Sequence, residues 1–586
     1  MTDAAVVDPW GPRPGERWSS GPWTAELRDD ELADLRHGGV LVARSVRAVV
    51  RDRDWGTARA TVEATERAGG VTRLLLRVAG DGVAAEGELR LEAHDDALTV
   101  ALRLTATADS LTARTGLVLL HPPTVAGTPL RVRHGDGTAE QGSFPRAIAP
   151  HQPALDVVGL DWSAGGLDLR ATFVGDVFEM EDQRNWTDAS FKTYSRPLSR
   201  PFPYRLARGE VVEQAITLTA SGRSTTLRAP SDADRVVLVD AGRPVPEVGV
   251  GAATGPTSPG AHPTPPAATL LVELDAADGD PAPRLARAAS SGLPLDVRIV
   301  ASTPEDVARL VVAAGRHRPV RLGVASSTTH VSEPLLWEAL VAAARQHAPA
   351  AVLLGGARSH FTELDREHAR LPRPHAWTFA VTPQMHADGT HQLEESIGVQ
   401  RLVTEQAVEI AGGAPVHVGP VTLRPRFNAV ATTPTDGPAG GPDRGWGPAL
   451  LDGVDDERQR SPRLGAWLVA SAAALAEGGA ASASWFEEHG PRGLEDDDGT
   501  AFPVRAAVAA VQAMSGLPLL VPTGPTPVDA RTWVLAARTP TGVRALVARL
   551  GTTSAPCTLV VDDHETTVTL RPGRWVELHL TTTQES

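Results

Sequence analysis

Between residues 268 and 520, short apolar runs alternate with stretches of helical period, and this alternation constrains the fold more than any other feature of the chain. Apolar runs stand at 269–274, 295–301, 320–325, 351–354, 377–381, 416–423 and 481–486. Helical patterns fall at 304–315, 333–347, 391–411, 462–477 and 503–514. Uninterrupted apolar strands are buried on both faces, and helices between them imply parallel βαβ units. Seven such strands, with an eighth placed near 519–521, predict a TIM-like (β/α)₈ barrel over 268–522.

The two ends of the chain follow period two instead. Alternation at 39–50, 71–78, 87–93 and 98–105, with a closing strand at 211–218, predicts an N-terminal antiparallel β-sandwich over 1–228. Alternation returns at 532–537, 543–550, 558–561, 566–570 and 575–580, predicting a small C-terminal β-sandwich over 523–586. Residues 229–267 are rich in Gly, Pro, Ala, Thr and Ser and read as an extended or mobile linker.

Composition narrows the function. A net charge of −15 and the lack of a basic block argue against a nucleic-acid partner. The longest apolar stretch, 464–476, is too short to span a bilayer, so no membrane partner is expected. A lone cysteine, Cys557, fits a reducing compartment. The first residues have neither a basic start nor an apolar run, so no signal peptide is expected and the reading is cytoplasmic. Nothing in the sequence specifies an oligomeric state.

Lys192 is the only lysine, and it sits in the most unusual segment, Phe178-Glu-Met-Glu-Asp-Gln-Arg-Asn-Trp-Thr-Asp-Ala-Ser-Phe-Lys-Thr-Tyr194. Every other lysine or arginine position is arginine, whose planar fork does not replace a compact ammonium. Glu181, Asp182, Arg184, Asn185, Trp186 and Lys192 are therefore candidates for a polyol-binding wall. A salt-bridged joint between domains is the competing interpretation.

In a (β/α)₈ barrel, chemistry sits at the C-terminal strand ends. Glu363 follows the fourth strand of this count and Glu487 ends the seventh, so the two can face each other as general acid and base. Glu488 rivals Glu487, because a one-residue slip reverses the inward face. His386 follows the fifth strand and can move a proton or donate to an oxyanion. Arg424, Arg426 and Asn428 alternate off the sixth strand, and an inward arginine can clamp a carboxylate. Trp485 is positioned to stack on a sugar face. No Gly-x-Ser-x-Gly elbow, dinucleotide fingerprint, Walker loop, cysteine pair or His-Glu-x-x-His occurs, so neither a cofactor nor a metal is expected.

The 178–194 run, followed by Pro197-Leu and Pro201-Phe-Pro, resembles the signature of the D-apionate lactonase family. Thr115-Gly-Leu-Val-Leu-Leu-His-Pro122, Phe144-Pro-Arg-Ala-Ile-Ala-Pro150, Phe361-Thr-Glu-Leu-Asp-Arg366, Pro383-Gln-Met-His-Ala387 and Phe486-Glu-x-x-Gly490 are similar to it as well. The resemblance implies a β domain, a barrel and a second β domain. It also implies hydrolysis of a small sugar-acid lactone, D-apionolactone to D-apionate, in catabolism of a branched pentose. Two other functions compete: a retaining glycoside hydrolase, which places glutamates after barrel strands four and seven, and a carbohydrate-binding protein without catalysis.

Overall fold

The computed structural model describes residues 8–11, 15–80, 82–223, 234–257, 262–431, 439–562 and 564–581. The expected boundary at 228/229 lies outside the described residues. Seventeen strands between Glu16 and Gly222 form one antiparallel network folded over a core that includes Trp23, Leu89, Leu117, Phe178 and Phe191. Alternation decides which side chains enter that core, as period-two patterning requires.

The barrel is closed by eight parallel strands: β1 Glu247–Gly251, β2 Thr269–Asp275, β3 Leu295–Ala301, β4 Arg321–Ser326, β5 Val352–Gly356, β6 Ala376–Val381, β7 Val416–Val421 and β8 Ser482–Glu487. The seven strands expected between 269 and 486 are all present. The five expected helices are present too, at Pro304–Gly315, Pro334–His347, Thr390–Ala411, Arg463–Gly478 and Val504–Gln512. Arg463–Gly478 is apolar on every side because it packs between the barrel and the C-terminal sheet. Among the described residues no helix is long and apolar enough to cross a membrane.

The stretch expected to be a linker instead supplies strands to two domains. Asp234–Pro244 inserts into the C-terminal sheet, parallel to Ala555–Val561 and antiparallel to Pro518–Pro522. Glu247–Gly251 is the missing barrel strand, and it closes the ring against β2 and β8. Leu519 and Leu520, expected in the eighth barrel strand, belong to the seven-stranded C-terminal sheet. The glycines that made this segment look like a linker serve close packing. A Cβ on Gly249 would lie 2.3 Å from the Ser484 hydroxyl, and one on Gly251 would lie 2.8 Å from the Phe486 carbonyl. Gly251→Ala is expected to cost about 1–3 kcal/mol in a denaturant melt, because backbone must move to admit the methyl.

The additional first strand shifts the count by one. Glu363 follows β5 and Glu487 ends β8, so the carboxylates do not occupy the fourth and seventh strand ends.

Candidate active site

The N-terminal domain sits on the C-terminal mouth of the barrel through its Phe178–Asp182 and Phe191–Tyr194 hairpin. These strands pair with Glu179 opposite Tyr194 and Glu181 opposite Lys192. Period two sends Phe178 and Met180 into the sandwich core and turns Glu179, Glu181, Lys192 and Tyr194 to the other face. The connection is a short 3₁₀ turn, Gln183–Trp186, capped by Asp182 and ended by Thr187 in the left-handed region at φ 65°. Its tip is buried against the barrel. The Thr187 hydroxyl donates to the Thr382 carbonyl at 3.1 Å. The Asp188 carboxylate accepts from the Gln392 amide at 2.8 Å and contacts His386 Nδ1 at 2.8 Å.

Two remote segments thereby build one cluster. Lys192 Nζ is ion-paired with Glu181 and lies 4.7 Å from the Tyr194 ring centroid. Trp186 donates to Glu181 at 3.0 Å, and its ring stands 5.4 Å from His360 and 6.0 Å from His386. Burial would raise the Glu181 carboxyl, but Lys192 and His386 outweigh it and hold it at about 2. Burial pushes the Lys192 ammonium below its ordinary value more strongly than Glu181 raises it, and Arg51 adds to the lowering. Burial likewise depresses the His386 imidazole; Asp188 opposes this, while Lys192 and Arg51 reinforce it. Among the described residues, His386 makes its hydrogen bond through Nδ1 alone. An imidazole oriented by a carboxylate on one nitrogen has the other available for proton transfer.

Several expected ligands have structural work instead. Arg184 is buried, pairs with Asp182 at 2.6 Å, and donates to the carbonyls of Pro145, Arg146 and Ala147. Asn185 donates to the carbonyls of Ala149 and Asp182. Asp182, Arg184 and Asn185 thus brace the 145–149 segment behind the hairpin, because the 3₁₀ turn directs them away from the mouth. Arg184→Ala is expected to lose about 3–5 kcal/mol in thermal or urea unfolding, since it leaves a buried carboxylate unpaired. Trp485 donates to Ser471 on Arg463–Gly478 at 3.0 Å and is 1% exposed, so it packs outside the barrel and not on a ligand.

Glu363 accepts from the Ser359 hydroxyl at 2.7 Å and the His360 backbone N–H at 2.9 Å, capping its own helix. Burial raises its carboxyl. Glu487 accepts from Thr254 N–H at 2.9 Å, from the Thr254 hydroxyl at 2.8 Å and from Arg492 Nε at 2.8 Å. Glu487, not Glu488, lines the cavity at the mouth, together with Arg424, Arg426, Asp456 and Phe486. Of the expected acid pair, Glu363 caps a helix and Glu487 anchors the segment after β1. Arg424 and Arg426 lie beyond the end of β7, each beside an acid that a second arginine also pairs. Arg424 lies 3.4 Å from Asp456, and Arg426 lies 3.0 Å from Glu273. Asn428 donates to the Asp54 carbonyl at 2.8 Å, a second tie between barrel and N-terminal domain.

Sequence reasoning missed Arg51, Glu273 and Arg358. Glu273 is on β2 and accepts from Arg358 at 2.7 Å and Arg426 at 3.0 Å. Its signal was present, since it is an acid inside an otherwise apolar strand. Two mouth residues other than glycine, His330 and Phe486, hold φ of 59° and 54°. Such backbone outliers concentrate at functional sites.

Among solved structures, the fold is similar to a GH30 endoxylanase from Clostridium papyrosolvens C71, with 9% identity, 58% of this chain and 98% of that chain covered, and a TM-score of 0.37. It is also similar to SrfJ from Salmonella typhimurium, with 10% identity, 65% and 96% covered, and a TM-score of 0.36. Among characterised sequences, it is 30% identical over 470 residues to the D-apionate lactonase of Brucella anthropi, covering 72% of this chain and 75% of that protein. Residues 8–223 match the D-apionate lactonase N-terminal domain, and residues 264–516 match the D-apionate lactonase TIM barrel domain. The chain belongs to the D-apionate lactonase family.

Proposed function

We propose that this protein hydrolyses a sugar-acid lactone, D-apionolactone to D-apionate, at the cluster formed by the 178–194 hairpin and the barrel mouth. The observation that carries the reading is the 2.8 Å contact between Asp188 of one domain and His386 of the other, beside the Lys192–Glu181 pair. Asp188 holds Nδ1, which leaves His386 Nε2 to take a proton from water as its oxygen bonds to the lactone carbonyl carbon. The carbonyl oxygen becomes an oxyanion, stabilised by the Lys192 ammonium. Collapse breaks the ring C–O bond, and the imidazolium returns its proton to the departing ring oxygen, releasing the hydroxy acid. Trp186 supplies an aromatic wall between His360 and His386.

Family membership supports a lactonase, and the partners of Glu363 weigh against a glycosidase. That reading needed paired carboxylates at two strand ends, and Glu363 is occupied as a cap. The test is acid release from D-apionolactone in a pH-stat, beside a panel of aryl glycosides. Lactone turnover without aryl glycoside turnover is expected; aryl apioside turnover without lactone hydrolysis would overturn the proposal.

A further inference from the structure

Beneath the mouth, the barrel interior encloses a second cavity lined by Glu273, Arg298, Arg358, Arg426, Thr378 and Ser332 among apolar residues. Arg426 lines the upper cavity as well, so the two adjoin. Arg358, on the wall of the interior cavity, lies two residues before His360, whose ring stands 5.4 Å from Trp186. Trp186 in turn stands 6.0 Å from His386, the group proposed to activate water.

The charges here are matched. Glu273 is shared by Arg358 and Arg426, Asp275 lies 3.9 Å from Arg358, and Arg298 pairs with Asp296 while donating to the Thr378 hydroxyl at 2.6 Å. A charge-balanced, donor-rich cavity suits a neutral polyhydroxylated ligand better than an anion. The Glu273 carboxylate has about four acceptor positions. Arg358 uses one on Oε1 and Arg426 uses one on Oε2, which leaves one lone pair on each oxygen. Burial would raise this carboxyl, but the two guanidiniums hold it well below the carboxylate range, so it accepts hydrogen bonds and has no proton to give. Arg358 is itself stacked 4.2 Å over the Phe427 ring, which fixes the fork.

We infer that Glu273, held between Arg358 and Arg426, recognises neighbouring hydroxyl groups on the lactone ring and sets the enzyme's preference for polyhydroxylated lactones. This rests on the lactonase reading above and names a specificity determinant within it, not an acid or base. A buried acceptor built for a hydroxyl is left unsatisfied by a ligand lacking one, which is why such sites discriminate strongly.

The test compares D-apionolactone with γ-butyrolactone, which has the same ring without hydroxyls, in wild type, Glu273→Gln and Arg358→Lys. Wild type is expected to prefer the hydroxylated lactone by roughly 10⁴-fold in kcat/KM. Glu273→Gln should lose about 10- to 100-fold with D-apionolactone, mostly in KM, and change γ-butyrolactone turnover less than about threefold. Arg358→Lys retains the charge and should fall between the two. If wild type turns over both lactones equally well, or if Glu273→Gln slows both equally while melting like wild type, the inference fails. If Glu273→Gln does not fold, the wild-type comparison and Arg358→Lys decide. If wild type hydrolyses neither lactone, the failure lies in the lactonase reading and not in Glu273.

Discussion

Asp188→Asn is expected to lower kcat for lactone hydrolysis by about 10²- to 10⁴-fold with little change in unfolding midpoint. The carboxylate faces His386 Nδ1 at 2.8 Å and so favours the tautomer whose Nε2 is free to accept a proton. An asparagine amide can donate to Nδ1 instead, which places the ring proton on Nε2 and removes the base. The pH profile gives a second, independent reading. His386 must be neutral to act, so activity rises with pH through its pKa. Burial places that pKa below the ordinary histidine value, and Asp188 opposes the shift. The wild-type acid limb should therefore lie below pH ~6.5. Removing the Asp188 charge should move it lower still, although the plateau falls. Steady-state kinetics from pH 4 to 9, with a thermal melt of each variant, check this. A kcat within about threefold of wild type across the range would remove the dyad from the mechanism.

Lys192→Met is expected to lower kcat by about 10²- to 10³-fold, the usual loss when one donor to a developing oxyanion is removed. Its pH profile should move opposite to that of Asp188→Asn. The Lys192 ammonium lowers the His386 pKa, so removing it shifts the acid limb upward. At high pH the sign is also fixed. Wild type loses activity as Lys192 deprotonates, and burial sets that loss below the ordinary lysine value. The alkaline limb should vanish in the methionine variant. Lys192→Arg restores the charge but not the compact head group, and it should recover only part of the rate. An unchanged acid limb in Lys192→Met would separate the lysine from the histidine and sink the proposed cluster.

Most of the architecture was legible from periodicity. Seven barrel strands, five helices and the late C-terminal strands stand where apolar runs and alternation place them. The failures share a cause. Val248, Gly249, Val250 and Gly251 form a strand too short and too glycine-rich to stand out, and their need for glycine is visible only beside Ser484 and Phe486. The site was legible as a region and only partly as residues. Lys192, Glu181, Trp186 and His386 do converge, whereas Asp182, Arg184 and Asn185, from the same segment, turn inward to brace a loop. Their composition is alike; the hairpin register and one left-handed residue, Thr187, separate them.

The sequence by itself determined the three-part plan, because strand and helix periods are local properties of a backbone with only two soft torsions per residue. Which strand closes the barrel, and which polar side chains face the mouth, depended on partners hundreds of residues away. Asp188 and His386 come within 2.8 Å of each other only when two domains dock. A group's protonation and hydrogen-bonding capacity follow from what surrounds it in space, and those surroundings exist only in the folded chain.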